Sequence, residues 1–105
     1  MSGVLYNVTI KIDNQVSDEW LSWMQEVHIP DVMATACFKS YKLCRLVGHD
    51  DDDGITYAIQ YEAPSEDLLL IYQQEHAKEL QKAHQQKFEG KYVAFRSLLR
   101  VIDHG

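Results

Sequence analysis

The chain has little cysteine, proline or glycine: two, two and five residues among 105. Cys37 and Cys44 are too few for a disulfide framework, and in a chain of ordinary core content they read as reduced thiols. No Pro-, Gly- or Ser-rich linker, low-complexity stretch or internal repeat interrupts the sequence. Basic charge is scarce too. Ten Lys and Arg against sixteen Asp and Glu give a net charge of −6, which argues against nucleic acid and anionic membranes as partners, since both select basic patches. No window is long and apolar enough to span a membrane. The N-terminus lacks the basic region, apolar core and cleavage site of a secretory signal, so a cytoplasmic protein is expected. A glycine-rich phosphate loop is missing as well.

What is present describes one globular domain, with 46% hydrophobic and 25% charged residues. A domain this small buries only about two thirds of its unfolded surface, so a partner chain would help it. Val4 to Ile12 alternates with strand period, Val4, Tyr6, Val8, Ile10 and Ile12 on one face. Asp13-Asn14-Gln15 is turn chemistry. Ser17 is placed to cap a helix whose apolar side carries Trp20, Met24, Val27 and His28. Pro30 disfavours helix at Ile29, so this helix should end near His28, with a second short helix from Asp31 to about Thr35. Phe38 to Val47 reads as a second strand, Gly48–Gly54 as a polar hairpin loop, and Ile55 to Ala63 as a third strand. Ser65 caps a helix that continues, with a break, to about Phe88, and Gly90 stops it. Tyr92 to Ile102 is the last strand, with Val93, Phe95, Leu99 and Val101 expected to face the helices. The order β-α-β-β-α-β with right-handed crossovers predicts a ferredoxin-like α+β sandwich, a four-stranded antiparallel sheet with helices on one face.

The other sheet face is expected to collect Asn7, Thr9, Lys11, Ser40, Lys42, Cys44, Thr56, Ala58, Gln60, Glu62, Ala94, Arg96, Leu98 and Arg100. That mixture is too apolar for a wet face and too charged for a monomer core, and it predicts a two-fold homodimer closed through this face. On that reading Lys11, Lys42, Arg96 and Arg100 pair across the interface, with Glu62 nearby. The alternative for Arg96 is capture of a ligand carboxylate or phosphate.

His28, His76 and His84 are the histidines on or beside apolar helix sides. Each is open to two readings, a core ring with one hydrogen-bond partner or part of a site. His76 and His84 lie eight positions apart, about 12 Å of helix rise, too far for one metal ion. The run Asp50 to Asp53 fails as a calcium loop, because aligning Gly54 with the EF-hand glycine puts His49 and Gln60 at ligand positions. No metal and no cofactor are expected. Six tyrosines suit either an ordinary core or a pocket for a planar organic molecule. Cys44 has no histidine placed beside it, so nucleophilic catalysis has little support.

The strings LYNVTI, WLSWMQEVHIPDVMATACF, DDGITYAIQY and HQQKFEGKYVAFRSLL resemble, over nearly the whole chain, the bacterial family catalogued as domain of unknown function 4286. Ala36 stands where that pattern leads one to expect glycine. The resemblance implies a dimeric α+β barrel and brings no activity with it. The wider superfamily includes cofactor-free monooxygenases, haem-degrading enzymes, isomerases, decarboxylases and proteins without known catalysis, and fold alone cannot choose among them. In such barrels the ligand cavity lies between helices and sheet. The resemblance therefore makes His28 or His76 the candidate general base on a planar phenolic or keto substrate. Asn7, Tyr57, Tyr61, Tyr72, His84 and Arg96 are the candidate substrate-binding residues. Haem-degrading members use a strand-one asparagine and a late-helix histidine, a pair that Asn7 and His84 could imitate. The alternative is a non-catalytic homodimeric structural or sensing module.

Overall fold

A computed structural model describes residues 3–48 and 53–105, so most of the expected hairpin loop, His49 to Asp52, lies outside the described residues. The first strand, β1 (Val4–Asp13), is followed by a single 3-10 turn (Asn14–Val16), α1 (Ser17–Trp23), a π-turn (Met24–His28) and α2 (Ile29–Ala34). Then come β2 (Ser40–Arg45), β3 (Gly54–Ala63), α3 (Glu66–Glu75), α4 (Ala77–Lys87) and β4 (Tyr92–Arg100). The strands form one antiparallel sheet in the order β2-β3-β1-β4. This is the ferredoxin-like arrangement predicted from element order. The alternating apolar residues of β1 are all buried beneath the helices, together with Tyr57, Ile59 and Tyr61 of β3.

Several local details differ from expectation, each for a visible reason. Ser17 does not cap α1. It is the first helical residue, and its hydroxyl donates to the Asn14 carbonyl at 3.1 Å. Asp13 caps the preceding turn instead, accepting from the Gln15 N–H at 2.8 Å. Helix does not stop at His28 either. Ile29 keeps helical angles, φ −62° and ψ −44°, and its N–H donates five residues back to the Met24 carbonyl. The wider turn admits the proline ring, which in regular α-helix would clash with the carbonyl four residues earlier. The added residue also changes which side chains face inward. Trp20, Met24, Ile29 and Val32 are buried, whereas Val27 turns outward. Strand β2 is shorter than predicted at both ends. Ser65 caps α3 as expected, accepting from the Leu68 N–H, and the expected break falls at His76.

The largest correction concerns β4. Its register on β1 pairs Ala94 with Ile10, Arg96 with Val8, Leu98 with Tyr6 and Arg100 with Val4. Directly paired residues of an antiparallel ladder share a face, so these four lie on the helix side. Val93, Phe95 and Leu99 lie on the open face with Lys11, Thr9 and Leu5, and they are 69%, 62% and 44% exposed. The more apolar side of the strand thus points away from the monomer's core. Arg100 is consequently not an open-face cation; it holds Glu66 at the start of α3 through two bonds, of 2.7 and 3.2 Å.

Ala36, in the turn into β2, has φ +63°. Left-handed backbone costs an L-residue about 1–2 kcal/mol; glycine avoids that strain, although its looser unfolded chain cancels part of the gain. Ala36→Gly is therefore expected to stabilise the fold by about 0.5–1 kcal/mol in urea titrations; an unchanged or lower midpoint would contradict the strain.

Candidate functional site

A narrow cleft lies between the helices and the helix-facing side of the sheet. The π-turn delivers His28 to it, and α4 delivers Gln81 and His84. The sheet contributes Tyr6, Tyr61 and Arg96, and α3 contributes Tyr72. The space open to the centre of a water molecule is about 30 Å³, room for about two waters.

His84 is 3% exposed, and its Nε2 accepts the indole N–H of Trp20 at 2.9 Å. An indole nitrogen can only donate, so Nε2 must offer a lone pair and the proton resides on Nδ1. The ring is neutral. Burial is the main cause that pushes its pKa down, to about 4, with His28 and Arg96 adding like-charge repulsion. His28 sits 5.7 Å away, centroid to centroid, stacked at 5.0 Å on Trp23. Burial also pushes its pKa down to about 4, with Asp31 opposing and Arg96 reinforcing. Among the described residues His28 makes no hydrogen bond, and His84 makes none through Nδ1.

Tyr6 is the second focus. Its hydroxyl oxygen accepts from Arg96 Nε at 3.1 Å and from Gln81 Nε2 at 3.3 Å. Both lone pairs are used, so the hydroxyl proton is left to donate to a third group. Around it pack Phe38, Tyr61 and Tyr72, at centroid distances of 6.0, 5.9 and 5.6 Å. Burial raises the pKa of Tyr61 and Tyr72 above the ordinary phenol value, so both stay protonated.

The structure therefore gathers His28, His84, Tyr61, Tyr72 and Arg96 from the sequence-level candidates. It does not bring in the other three. His76 sits at the junction of α3 and α4, half-buried beside Tyr72 and outside the cleft lining. Asn7 is on the open face, paired with Gln60 and Ser97, where it donates to the Thr9 hydroxyl. It cannot join His84 across the sheet, so the haem-enzyme analogy fails geometrically. Tyr57 is core, packed on Trp20 at 4.9 Å. Sequence reasoning missed Tyr6 as the hub, Gln81, and the Trp20 bond to His84. The one available signal was Arg96, a lone charge between Ala94 and Leu98 on its own strand face. Among the described residues no group of three His, Cys, Asp or Glu could hold a metal ion. Both thiols are free, Cys37 buried and Cys44 exposed on the open face.

The fold recurs in solved structures at very low identity. A dimeric ferredoxin-like protein from an uncultured marine organism superposes with a TM-score of 0.73 at 12% identity, covering 98% of this chain and 97% of its own. The cofactor-independent oxygenase SnoaB of Streptomyces nogalater gives 0.68 at 12%, covering 96% and 95%. A candidate antibiotic-biosynthesis monooxygenase of Bacillus cereus gives 0.70 at 7%, covering 100% and 98%. No curated protein matches by sequence. A family model described as Domain of unknown function (DUF4286) matches residues 3–102.

Proposed function

From the premise that the chain belongs to the DUF4286 family, which assigns a fold and no activity, we propose that it is a small-molecule-binding α+β barrel whose ligand site is the cleft around Tyr6. One observation carries this reading. The unspent Tyr6 O–H, the His84 Nδ1–H and the unbonded His28 ring converge on one partly enclosed space. Among the described residues no fully buried side-chain N or O atom lacks a partner, so the free histidine nitrogens reach solvent and are open to partners that enter the cleft. A planar phenolic or keto molecule would supply them, with Tyr61 and Tyr72 as apolar walls. If the ligand is a substrate, His28 is the candidate base for proton transfer or cofactor-free oxygenation; one structural neighbour is named a cofactor-independent oxygenase and another a monooxygenase. A base with a pKa of about 4 takes only protons that leave readily, which restricts the substrate more than the fold does. Both cysteines are free, and a cytoplasmic location, where thiols stay reduced, belongs to this reading.

The second reading, a homodimeric module without catalysis, rests on the open sheet face. Val93, Phe95 and Leu99 form an exposed apolar row there, beside a concavity of about 900 Å³ lined by Leu5, Tyr41, Gln60 and Ile102. A second copy would cover it. The two readings are compatible, and one experiment weighs both. Native mass spectrometry of protein purified from its host should show a dimer with added small-molecule mass. Phe95→Glu should shift it to monomer, because a carboxylate would then be buried unpaired. A wild-type monomer would remove the dimer. A dimer that never carries or takes up a small molecule would leave the module reading alone.

A further inference from the structure

The two arginines of the helix-facing side of β4 are used differently. Arg100 spends its guanidinium on a bidentate pair with Glu66. Arg96, four residues back along the strand, donates Nε to the Tyr6 hydroxyl and joins no ion pair with the described residues. Its two terminal nitrogens carry four N–H groups in a planar fork, on a residue that lines the cleft. Nothing acidic lines that cleft, although the whole chain carries −6. A lone cation in an acidic protein, fixed through Nε beside an unspent tyrosine proton, is arranged for an anion that enters from outside. The fork geometry matches a carboxylate, which can accept two parallel N–H bonds.

We propose that the ligand of this cleft is a small planar monocarboxylate, its carboxylate held by the Arg96 fork and the Tyr6 hydroxyl. This rests on the ligand-site reading above and narrows it from planar molecules in general to one charge class. The small inner volume sets the orientation. Room for about two waters accepts a carboxylate head and not a ring, so the head points inward and the planar body lies toward the mouth. Gln81, the other donor to Tyr6, is the side chain that must shift to admit the body. Lys39, Lys82, Lys87 and Lys91 do not line the cleft, so no second cation competes for the role.

Benzoate and its neutral isostere benzamide separate charge from shape. In a two-dimensional proton–nitrogen NMR titration, the indole signals of Trp20 and Trp23 should move with benzoate at millimolar concentration, and benzamide should bind at least about tenfold more weakly. Arg96→Gln should lose that preference, weakening benzoate about tenfold or more and leaving benzamide unchanged. Arg96→Lys keeps the charge but lacks the fork, and should recover only part of the affinity. The indole spectrum without ligand reports whether each variant folds. Equal binding of both probes, or benzoate binding that survives Arg96→Gln, would overturn the carboxylate inference and leave the ligand site standing. No movement with either probe would overturn it as well, and the native mass spectrum then decides the site by itself.

Discussion

Replacing Trp20 with alanine should cost about 4 kcal/mol of folding stability, read as a large fall in the urea midpoint. Two losses combine. The indole is fully buried and packs on Tyr57 at 4.9 Å, so truncation opens a core cavity. It also strands the His84 Nε2 acceptor, which has the Trp20 N–H as its partner at 2.9 Å. Trp20→Phe separates the two, since it keeps most of the ring and removes only the donor. That variant should cost about 1–3 kcal/mol, the range for an unmet buried polar group plus a modest loss of volume. If Trp20→Phe were neutral, the indole–imidazole bond would contribute nothing, and the neutral tautomer of His84 would need another cause.

The second large effect is acid sensitivity. The pKa values of His28 and His84 both fall from 6.5 to about 4 on folding. Between those values the unfolded chain binds more protons than the native one, so stability rises with pH across that window and is lost as pH falls through it. Each ring accounts for roughly 2–3 kcal/mol and the pair for about 5 kcal/mol, the repulsion between the rings being already contained in the shift of His84. Typical domains hold only about 5–15 kcal/mol in total, so the protein should be close to unfolding near pH 4. The groups that face the two rings are Asp31, Arg96 and each other, and Asp31 alone opposes the trend. Urea midpoints from pH 7 to pH 4 test this. His28→Gln should remove roughly half of the slope, whereas a flat profile above pH 5 would show that both rings protonate in place. Exposed carboxylates whose pKa is held low by a cation, Asp53 beside Lys11 and Glu66 beside Arg100, lose their pairs only below the ordinary carboxylate range.

Element order, the β1 and β3 faces and the Ser65 cap were legible because each rests on local chemistry: period, caps and punctuation; a break in the long helix was expected without a position. The site was less legible, for two physical reasons. The face of β4 was assigned on the rule that the more apolar side meets the core. That rule assumes one core, and here the apolar row Val93, Phe95 and Leu99 is on the open face, the face that the proposed dimer would cover. The error carried Arg96 to the wrong side of the sheet. In the helices, regular periodicity put Val27 inside and gave His76 the same standing as His84. The turn at Met24–His28 and the break at His76 each change the inward register, and periodicity counted straight through them. His28 does line the cleft, although the reason given for it, a helix end before Pro30, is not the one that places it there.

The wide turn at Met24–His28 has one more consequence. It acts as a phase shift, about one residue's rotation inserted between the half of the helix that anchors on Trp20 and the half that begins with Ile29 and Pro30. The aim of the His28 ring is therefore set by how many residues separate two fixed points, and only weakly by which residues they are. Substitutions at exposed Gln25, Glu26 or Val27 leave that count intact. A change in chain length by a single residue would rewrite it, and would rotate the histidine away from the cleft without altering any residue that lines it.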